Sequence, residues 1–185
     1  MGNFTKKIEL NEQFKKALDI MESSNKNVFV TGRAGTGKST LLEYFVAMTK
    51  KKVAVLAPTG VAAVNVNGQT IHSFFGFGPD VTVESVKSYR HQNTSLYKKV
   101  DALIIDEISM VRADLLDCVD AFLRLNGKEK SKHFGGTQVI FIGDLYQLPP
   151  VVKGKERVLF TTRYKSPYFF DANVFRDFKM EFVFK

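Results

Sequence analysis

The residues best suited to chemistry form a glycine-rich segment, 32–39, which reads GRAGTGKS. It fits the pattern G-x-x-x-x-G-K-[ST], in which backbone N–H groups curl around phosphate oxygens. Lys38 is expected to reach the β- and γ-phosphates of ATP, and the Ser39 hydroxyl to bind Mg²⁺. The alternative is a glycine-rich turn that binds nothing. The predicted nucleotide-contacting residues of this segment are Gly32, Gly35, Thr36, Gly37, Lys38, Ser39 and Thr40.

Two adjacent carboxylates, Asp106 and Glu107, directly follow the apolar run 102–105. Ligands of open α/β sheets bind at the carboxyl ends of the strands, which is where these two residues are expected to lie. Asp106 is predicted to hold Mg²⁺, directly or through water. Glu107 is predicted to orient or deprotonate the water that attacks the γ-phosphate. The alternative is a solvated strand end that caps the next segment.

A neutral amide, Gln147, lies in segment 143–150, which follows another apolar run. An amide can donate a hydrogen bond to the γ-phosphate in one nucleotide state and lose that partner after hydrolysis. Gln147 therefore suits a catalytic sensing role. The alternative is a polar loop that is pinned by Pro149 and Pro150.

The elements that must position these residues alternate between strands and helices. Apolar runs without alternation are typical of parallel strands covered on both faces. Strands are predicted at 28–31, 53–57, 102–105, 138–142 and 182–184, and helices at 10–21, 39–49, 61–66, 70–75 and 113–125, with a weakly helical stretch at 79–99. The predicted fold is α/β, with a mostly parallel sheet and helices on both faces.

The composition is that of an ordinary globular domain, with 185 residues, 44% hydrophobic and 25% charged side chains. The formal net charge of +8 favours polyanionic partners, although a merely soluble, lysine-rich surface is the alternative. No apolar run approaches the roughly 20 residues of a membrane span, and no signal segment is readable. We therefore expect an intracellular protein without a membrane partner, cytoplasmic in a bacterium and nuclear or mitochondrial in a eukaryote.

Together, five segments of the chain resemble the N-terminal RecA-like domain of superfamily 1B helicases, closest to the Pif family and more distantly RecD-like enzymes. These segments are 32–39, 57–60 (APTG), 70–74 (TIHSF), 106–110 (DEISM) and 143–150 (GDLYQLPP). Many NTPases share the glycine-rich segment 32–39, the phosphate loop, but the APTG, HSF and QLPPV segments together are specific to this family. The resemblance extends from about residue 10 to the end of the chain.

This resemblance implies an ATP-driven motor that moves 5′→3′ on single-stranded DNA and unwinds duplexes, in roles such as DNA repair, recombination and telomere maintenance. It also implies that Gln13 is the adenine-reading glutamine of the family. The alternative for Gln13 is a surface residue on the leading helix.

The resemblance further assigns contacts with DNA to Thr59, Gly60, His72, Ser73 and Phe74. The residue types agree, because hydroxyls and backbone N–H groups hold phosphates and an aromatic ring offers a stacking face. The competing interpretation makes Phe74 a core residue and His72 a structural histidine. For the neighbouring Phe75 we predict the core.

A complete helicase of this type has a second RecA-like domain that supplies an arginine finger, worth about 10³–10⁵ in rate. Residues 1–185 are accordingly predicted to be a single motor domain, with a small wedge insertion at about 151–166. The basic stretch 153–165 would meet DNA near the duplex junction, unless it is an ordinary solvated hairpin. The chain is expected to be monomeric, to hydrolyse ATP slowly by itself, and not to unwind DNA without the second domain.

Two other functions stay open at this point. The chain could be a self-contained P-loop ATPase or kinase, or a nucleotide-gated binding module that never turns over. A further basic segment, 128–133, is expected to be a solvated loop and not a site.

Overall fold

The computed structural model describes residues 11–88, 94–152, 154, 160 and 162–184. Its strands are β1 (Val28–Thr31), β2 (Val53–Ala57), β3 (Gln69–Thr70), β4 (Ala102–Ile105), β5 (Gln138–Gly143) and β6 (Glu181–Phe184). Its α-helices are α1 (Glu12–Ser23), α2 (Lys38–Met48), α3 (Gly60–Asn65), α4 (Ile71–Phe75), α5 (Val83–Ser88), α6 (Ser95–Lys99) and α7 (Ala113–Asn126). Short 3₁₀ turns lie at Ile108–Met110, His133–Gly136, Phe169–Asp171 and Asn173–Arg176.

All pairings in the sheet are parallel, and the strand order is β3-β2-β4-β5-β1-β6. This confirms the predicted α/β architecture, and the five predicted strands match the observed ones to within one residue at each end. The two-residue strand β3 was not predicted, because so short a segment has no periodicity to recognise.

The sheet is covered on both faces, as predicted. Successive strand residues point to opposite sides, so that Phe29 joins the core beneath α7 while Val28 and Val30 join the core beneath α1 and α2. Helix α1 begins at Glu12, two residues later than predicted, because the Asn11 side chain accepts a hydrogen bond from the Phe14 N–H at 2.8 Å and caps the helix there. None of the helices in the described ranges has the length and apolarity needed to cross a bilayer.

The predicted hairpin at 153–165 lies largely outside the described residues. Residues 160, 162 and 163 are helical, so the structure does not place Phe160 in a strand. The Phe160 ring is buried, with the Arg112 guanidinium carbon 5.8 Å from its centroid. The Arg163 guanidinium donates to the Glu84 carboxylate at 2.8 Å. A wedge that meets DNA stays a prediction.

The basic segment 128–133 is a loop, as predicted, and Lys128, Lys130 and Lys132 are exposed. His133 differs from its neighbours. Its ring is partly buried, with Nε2 3.0 Å from the Asp177 carboxylate and Nδ1 3.7 Å from Asp120. His133 therefore helps to attach this loop to the domain.

A buried carboxylate, Asp117 on α7, holds the segment that precedes β6. Its two oxygens accept hydrogen bonds from the Tyr164 hydroxyl at 2.9 Å, the Asn173 N–H and side-chain amide at 3.1 and 2.9 Å, and the Val174 N–H at 3.0 Å. Desolvation and the Asp117 charge raise the pKa of Tyr164, so that its hydroxyl stays a donor. Four donors thus depend on one side chain.

Replacing Asp117 with Ala should therefore lower the free energy of unfolding by about 3 kcal/mol, since buried donors would lose their acceptor. Urea unfolding measures this change. Asp80→Ala, at an exposed carboxylate, is the control and should stay within about 0.5 kcal/mol of the parent. Equal unfolding midpoints for the two variants would contradict the structural role of Asp117.

Candidate functional site

The phosphate loop joins the end of β1 to the start of α2. Gly35 and Gly37 have φ angles of +77° and +85°, a region that side-chain-bearing residues rarely adopt. Gly37 is the N-cap of α2, and it has no side chain with which to cap the helix. The first N–H groups of this 11-residue helix therefore face the loop, where an anion would accept from them.

Lys38 is held inside this loop. Its Nζ donates to the carbonyl oxygens of Gly32 at 2.6 Å and Arg33 at 3.0 Å, and the Thr36 hydroxyl donates to the same Arg33 carbonyl at 2.9 Å. Phosphate oxygens could replace these carbonyls as acceptors for the Lys38 ammonium. The Thr36 side chain thus stabilises the loop. Of the next two predicted nucleotide contacts, Ser39 is exposed and Thr40 is half-buried.

Asp106 and Ser39, the two residues predicted to hold Mg²⁺, line one cavity of about 160 Å³ together with Glu43 and Glu107. Asp106 is 8% exposed. Burial raises its pKa to about 6, and the Glu107 charge adds to this, whereas the Glu107 N–H and the Lys38 charge act in the opposite direction.

The donors at this cavity fit Mg²⁺. A hydroxyl and a carboxylate are hard oxygen ligands, and Mg²⁺ in nucleotide sites takes few protein ligands beside phosphates and water. Within the described part of the chain, no cluster of three or more His, Cys, Asp or Glu side chains could hold a metal. A magnesium site shared with a triphosphate requires no such cluster.

Glu107 has a backbone conformation that its sequence does not reveal. Its φ and ψ are +51° and +42°, in the left-handed region, and the 3₁₀ turn Ile108–Met110 follows directly. This turn packs on the end of β5. A Cβ at Gly143 would lie 2.9 Å from Ile108 Cγ2 and 3.2 Å from its backbone nitrogen. Glu107 thus combines backbone strain with a place in the cavity beside Asp106, a combination found at functional sites.

Gln147 is exposed and is attached to Asp144, a residue that sequence reasoning missed. The side-chain amide of Gln147 donates to Asp144 Oδ2 at 3.4 Å, and its backbone N–H donates to the Asp144 carbonyl at 3.1 Å. Asp144 is buried and also accepts from the Tyr146 N–H at 3.0 Å. A carboxylate directly after β5, as Asp106 is after β4, was the available signal. Gln147 does not line the cavity of Ser39 and Asp106.

The residues predicted to contact DNA fall into two groups, those that are exposed or line a cavity and one that packs against other aromatic rings. Thr59, Gly60 and Ser73 are exposed, and the Thr59 hydroxyl oxygen accepts from the Ala62 N–H at 3.2 Å to cap α3. Thr59 and His72 line a common cavity. Burial, and next the Arg112 charge, lower the pKa of His72.

Phe74 belongs to the second group. It is half-buried, with its ring centroid 4.9 Å from that of Phe75 and 5.6 Å from that of Tyr97. This packing favours the core alternative over a free stacking face. Phe75 is fully buried, which confirms its prediction as a core residue. Gln13 is exposed on the first turn of α1, as both of its interpretations require.

A model of the PIF1-like helicase family matches residues 8–176. The chain belongs to the PIF1-like helicase family. It is 40% identical over 158 residues to the ATP-dependent DNA helicase PIF1 of Saccharomyces cerevisiae, covering 80% of this chain and 18% of that protein. It is 41% identical over 156 residues to Pif1 of Bdellovibrio bacteriovorus, covering 81% of this chain and 35% of that protein.

Solved structures agree with this assignment. The Pif1 helicase from Bacteroides in complex with ADP-AlF3 and ssDNA has a TM-score of 0.83 and 41% identity, over 96% of this chain and 42% of that one. The predicted family and the RecA-like fold are thereby confirmed. The chain spans less than half the length of each of these three PIF1-like relatives.

Replacing Glu107 with Asn should raise the free energy of unfolding by about 1 kcal/mol. Asn tolerates the left-handed conformation better, and the substitution removes the carboxylate that lies beside Asp106. Thermal unfolding of Glu107→Asn and Glu107→Gln separates the two effects, because Gln removes only the charge. A melting temperature of Glu107→Asn at or below that of the parent would refute the proposed strain.

Proposed function

We propose that this chain is the ATP-binding motor domain of a 5′→3′ DNA helicase. Joined to a second RecA-like domain, it would couple ATP hydrolysis to movement along single-stranded DNA and to duplex unwinding. One observation supports this most directly. In a chain of the PIF1-like family, the parallel sheet brings Lys38, Ser39 and Asp106 to a single edge.

The phosphate loop supplies the binding part of the proposed mechanism. Its N–H groups and Lys38 would bind the triphosphate, with Ser39 and Asp106 holding Mg²⁺. When bound, Mg²⁺ neutralises negative charge on the β- and γ-phosphate oxygens. Thr36 keeps the loop curled, since its hydroxyl closes the turn on Arg33.

Glu107 would orient the attacking water and accept its proton. The water oxygen then bonds to the γ-phosphorus while the bond to the ADP oxygen breaks. Gln147 would sense the γ-phosphate by exchanging its hydrogen bond to Asp144 for one to a phosphate oxygen. Asp144 holds the amide near the same edge of the sheet.

Single-stranded DNA and duplex junctions are the proposed nucleic-acid partners. Related structures support this, since they include Bacteroides Pif1 bound to ssDNA and forked dsDNA with two coordinating Pif1 helicases. The net charge of +8 is of the sign that attracts a polyanion. A monomeric motor and an intracellular location stay predictions.

The 185-residue polypeptide by itself should bind nucleotide but hydrolyse it slowly. Fast hydrolysis would require the arginine finger of a second RecA-like domain, which is worth about 10³–10⁵ in rate. Family membership favours this motor over a self-contained kinase. A binding module without turnover predicts a different response to substitution of Glu107.

Replacing Lys38 with Ala should weaken binding of a Mg²⁺–ATP analogue by about tenfold to a hundredfold, because a charge-assisted hydrogen bond to phosphate is lost. Isothermal calorimetry at millimolar nucleotide measures the change. Lys50→Ala removes an exposed ammonium outside the loop and is the control. If both variants bind as tightly as the parent, the nucleotide site is assigned wrongly.

Replacing Glu107 with Gln should lower the slow hydrolysis of radiolabelled ATP by about 10²-fold or more, while nucleotide binding is retained. The amide keeps the size of the side chain but no longer accepts a proton. Glu129→Gln, on an exposed loop, is the matched control. An unchanged rate in Glu107→Gln would support the binding module and contradict the catalytic role.

A further inference from the structure

A second cavity, of about 540 Å³, lies beyond the carboxyl ends of β2 and β4. Its apolar lining includes Phe77, Pro79 and Val81, which follow α4, and Met110 and Leu115. The volume is in the range of small-molecule sites, which are mostly apolar with a few fixed polar groups. The nucleotide mechanism uses none of these residues.

The polar groups of this cavity are Thr59, His72 and Arg112. The Arg112 guanidinium makes a bidentate ion pair with Asp114, with Nε–Oδ1 at 3.0 Å and Nη2–Oδ2 at 2.7 Å. Asp114 therefore offsets the charge of Arg112 and would repel an anion. The lowered pKa of His72 keeps its imidazole neutral at neutral pH. The cavity is thus matched to an uncharged ligand and not to phosphate.

The polar groups of this cavity could bind a heteroaromatic ring, with His72 and Thr59 hydrogen-bonded to its edge and Arg112 stacked on its face. A neutral imidazole has one N–H donor and one acceptor nitrogen, and the Thr59 hydroxyl can donate while its oxygen caps α3. Arg112 is also fixed in place, because its backbone pairs with Tyr168 and its guanidinium lies near the Phe160 ring. Aromatic rings and guanidinium planes are the surfaces on which unstacked bases stack, and both Phe77 and Arg112 line this cavity.

The position of the cavity indicates where such a ring would come from. Thr59 and His72 line it, and each has an exposed neighbour, Gly60 and Ser73, that is also predicted to contact DNA. Val151, at the mouth, is 73% exposed. A strand that follows this surface would place its bases at the opening.

We propose that this cavity takes one nucleobase of bound single-stranded DNA, turned out of the base stack. The proposal rests on the proposed function. Thr59, His72 and Arg112 would give this base-binding site its specificity, and its apolar lining would give it affinity.

An abasic scan tests this site. The chain is titrated at low salt with fluorescent oligothymidylate, and with a series in which each position in turn carries a tetrahydrofuran abasic residue. One position should be sensitive, with binding about 5- to 100-fold weaker, the range of a single stacked base. The other positions should change little.

A variant of the protein locates the sensitive base. Val151→Trp adds an indole at the cavity mouth, where the side chain is exposed and folding should not suffer. This variant should bind the unmodified strand as weakly as the parent binds the sensitive abasic strand, and the abasic residue should have no further effect. Leu96→Trp, at a half-exposed residue of α6 outside the cavity, is the matched control and should retain the parent pattern.

The outcomes separate this proposal from the proposed function. Failure of the unmodified strand to bind at low salt would contradict the DNA-binding function, and the base site with it. Normal binding with a flat abasic scan would overturn the base site alone. So would a sensitive position that persists unchanged in Val151→Trp, because the base would then lie elsewhere.

Discussion

The parallel sheet fixes where every functional segment lies. In parallel strands all carboxyl ends meet at one edge, and the order β4-β5-β1 makes three of them neighbours. The phosphate loop leaves β1, the pair Asp106 and Glu107 leaves β4, and the segment with Asp144 leaves β5. Backbone hydrogen bonds between the strands bring these segments together, and side-chain contacts such as that of Thr36 with the Arg33 carbonyl shape each segment locally.

The register of the strands explains the strain at Glu107. Thr31 of β1 is level with Gly143 of β5, but Ile105 of β4 is level with Phe141, two residues earlier. The chain that leaves β4 must therefore turn across the end of β5. It does so through the left-handed residue Glu107 and the 3₁₀ turn that packs on Gly143, where a side chain would collide. The same turn brings the Glu107 carboxylate into the cavity of Asp106.

The sequence predicted the parts of this structure that depend on local pattern. Apolar runs defined five strands to within one residue, since strands covered on both faces need apolar side chains throughout. The glycines of segment 32–39 correctly predicted a loop between a strand and a helix. Features that depend on long-range contacts were missed. The conformation of Glu107 depends on strand register, and the role of Asp117 depends on donors about 50 residues away. For Phe74 the sequence left a core role and a DNA contact open, and its packing against Tyr97 favours the core.

The two cavities differ in charge, and one short helix connects them. Thr59, the N-cap of α3, lines the neutral cavity, while Ala62, Asn65 and Val66 line the cavity of Ser39 and Asp106. Helix α3 has six residues and is only about 9 Å long, so its N-cap lies close to the residues that line the cavity of Ser39 and Asp106. A nucleotide that displaced α3 at one cavity would therefore displace Thr59 at the other. In the proposed motor, which must relate its grip on DNA to its nucleotide state, α3 would connect the two sites.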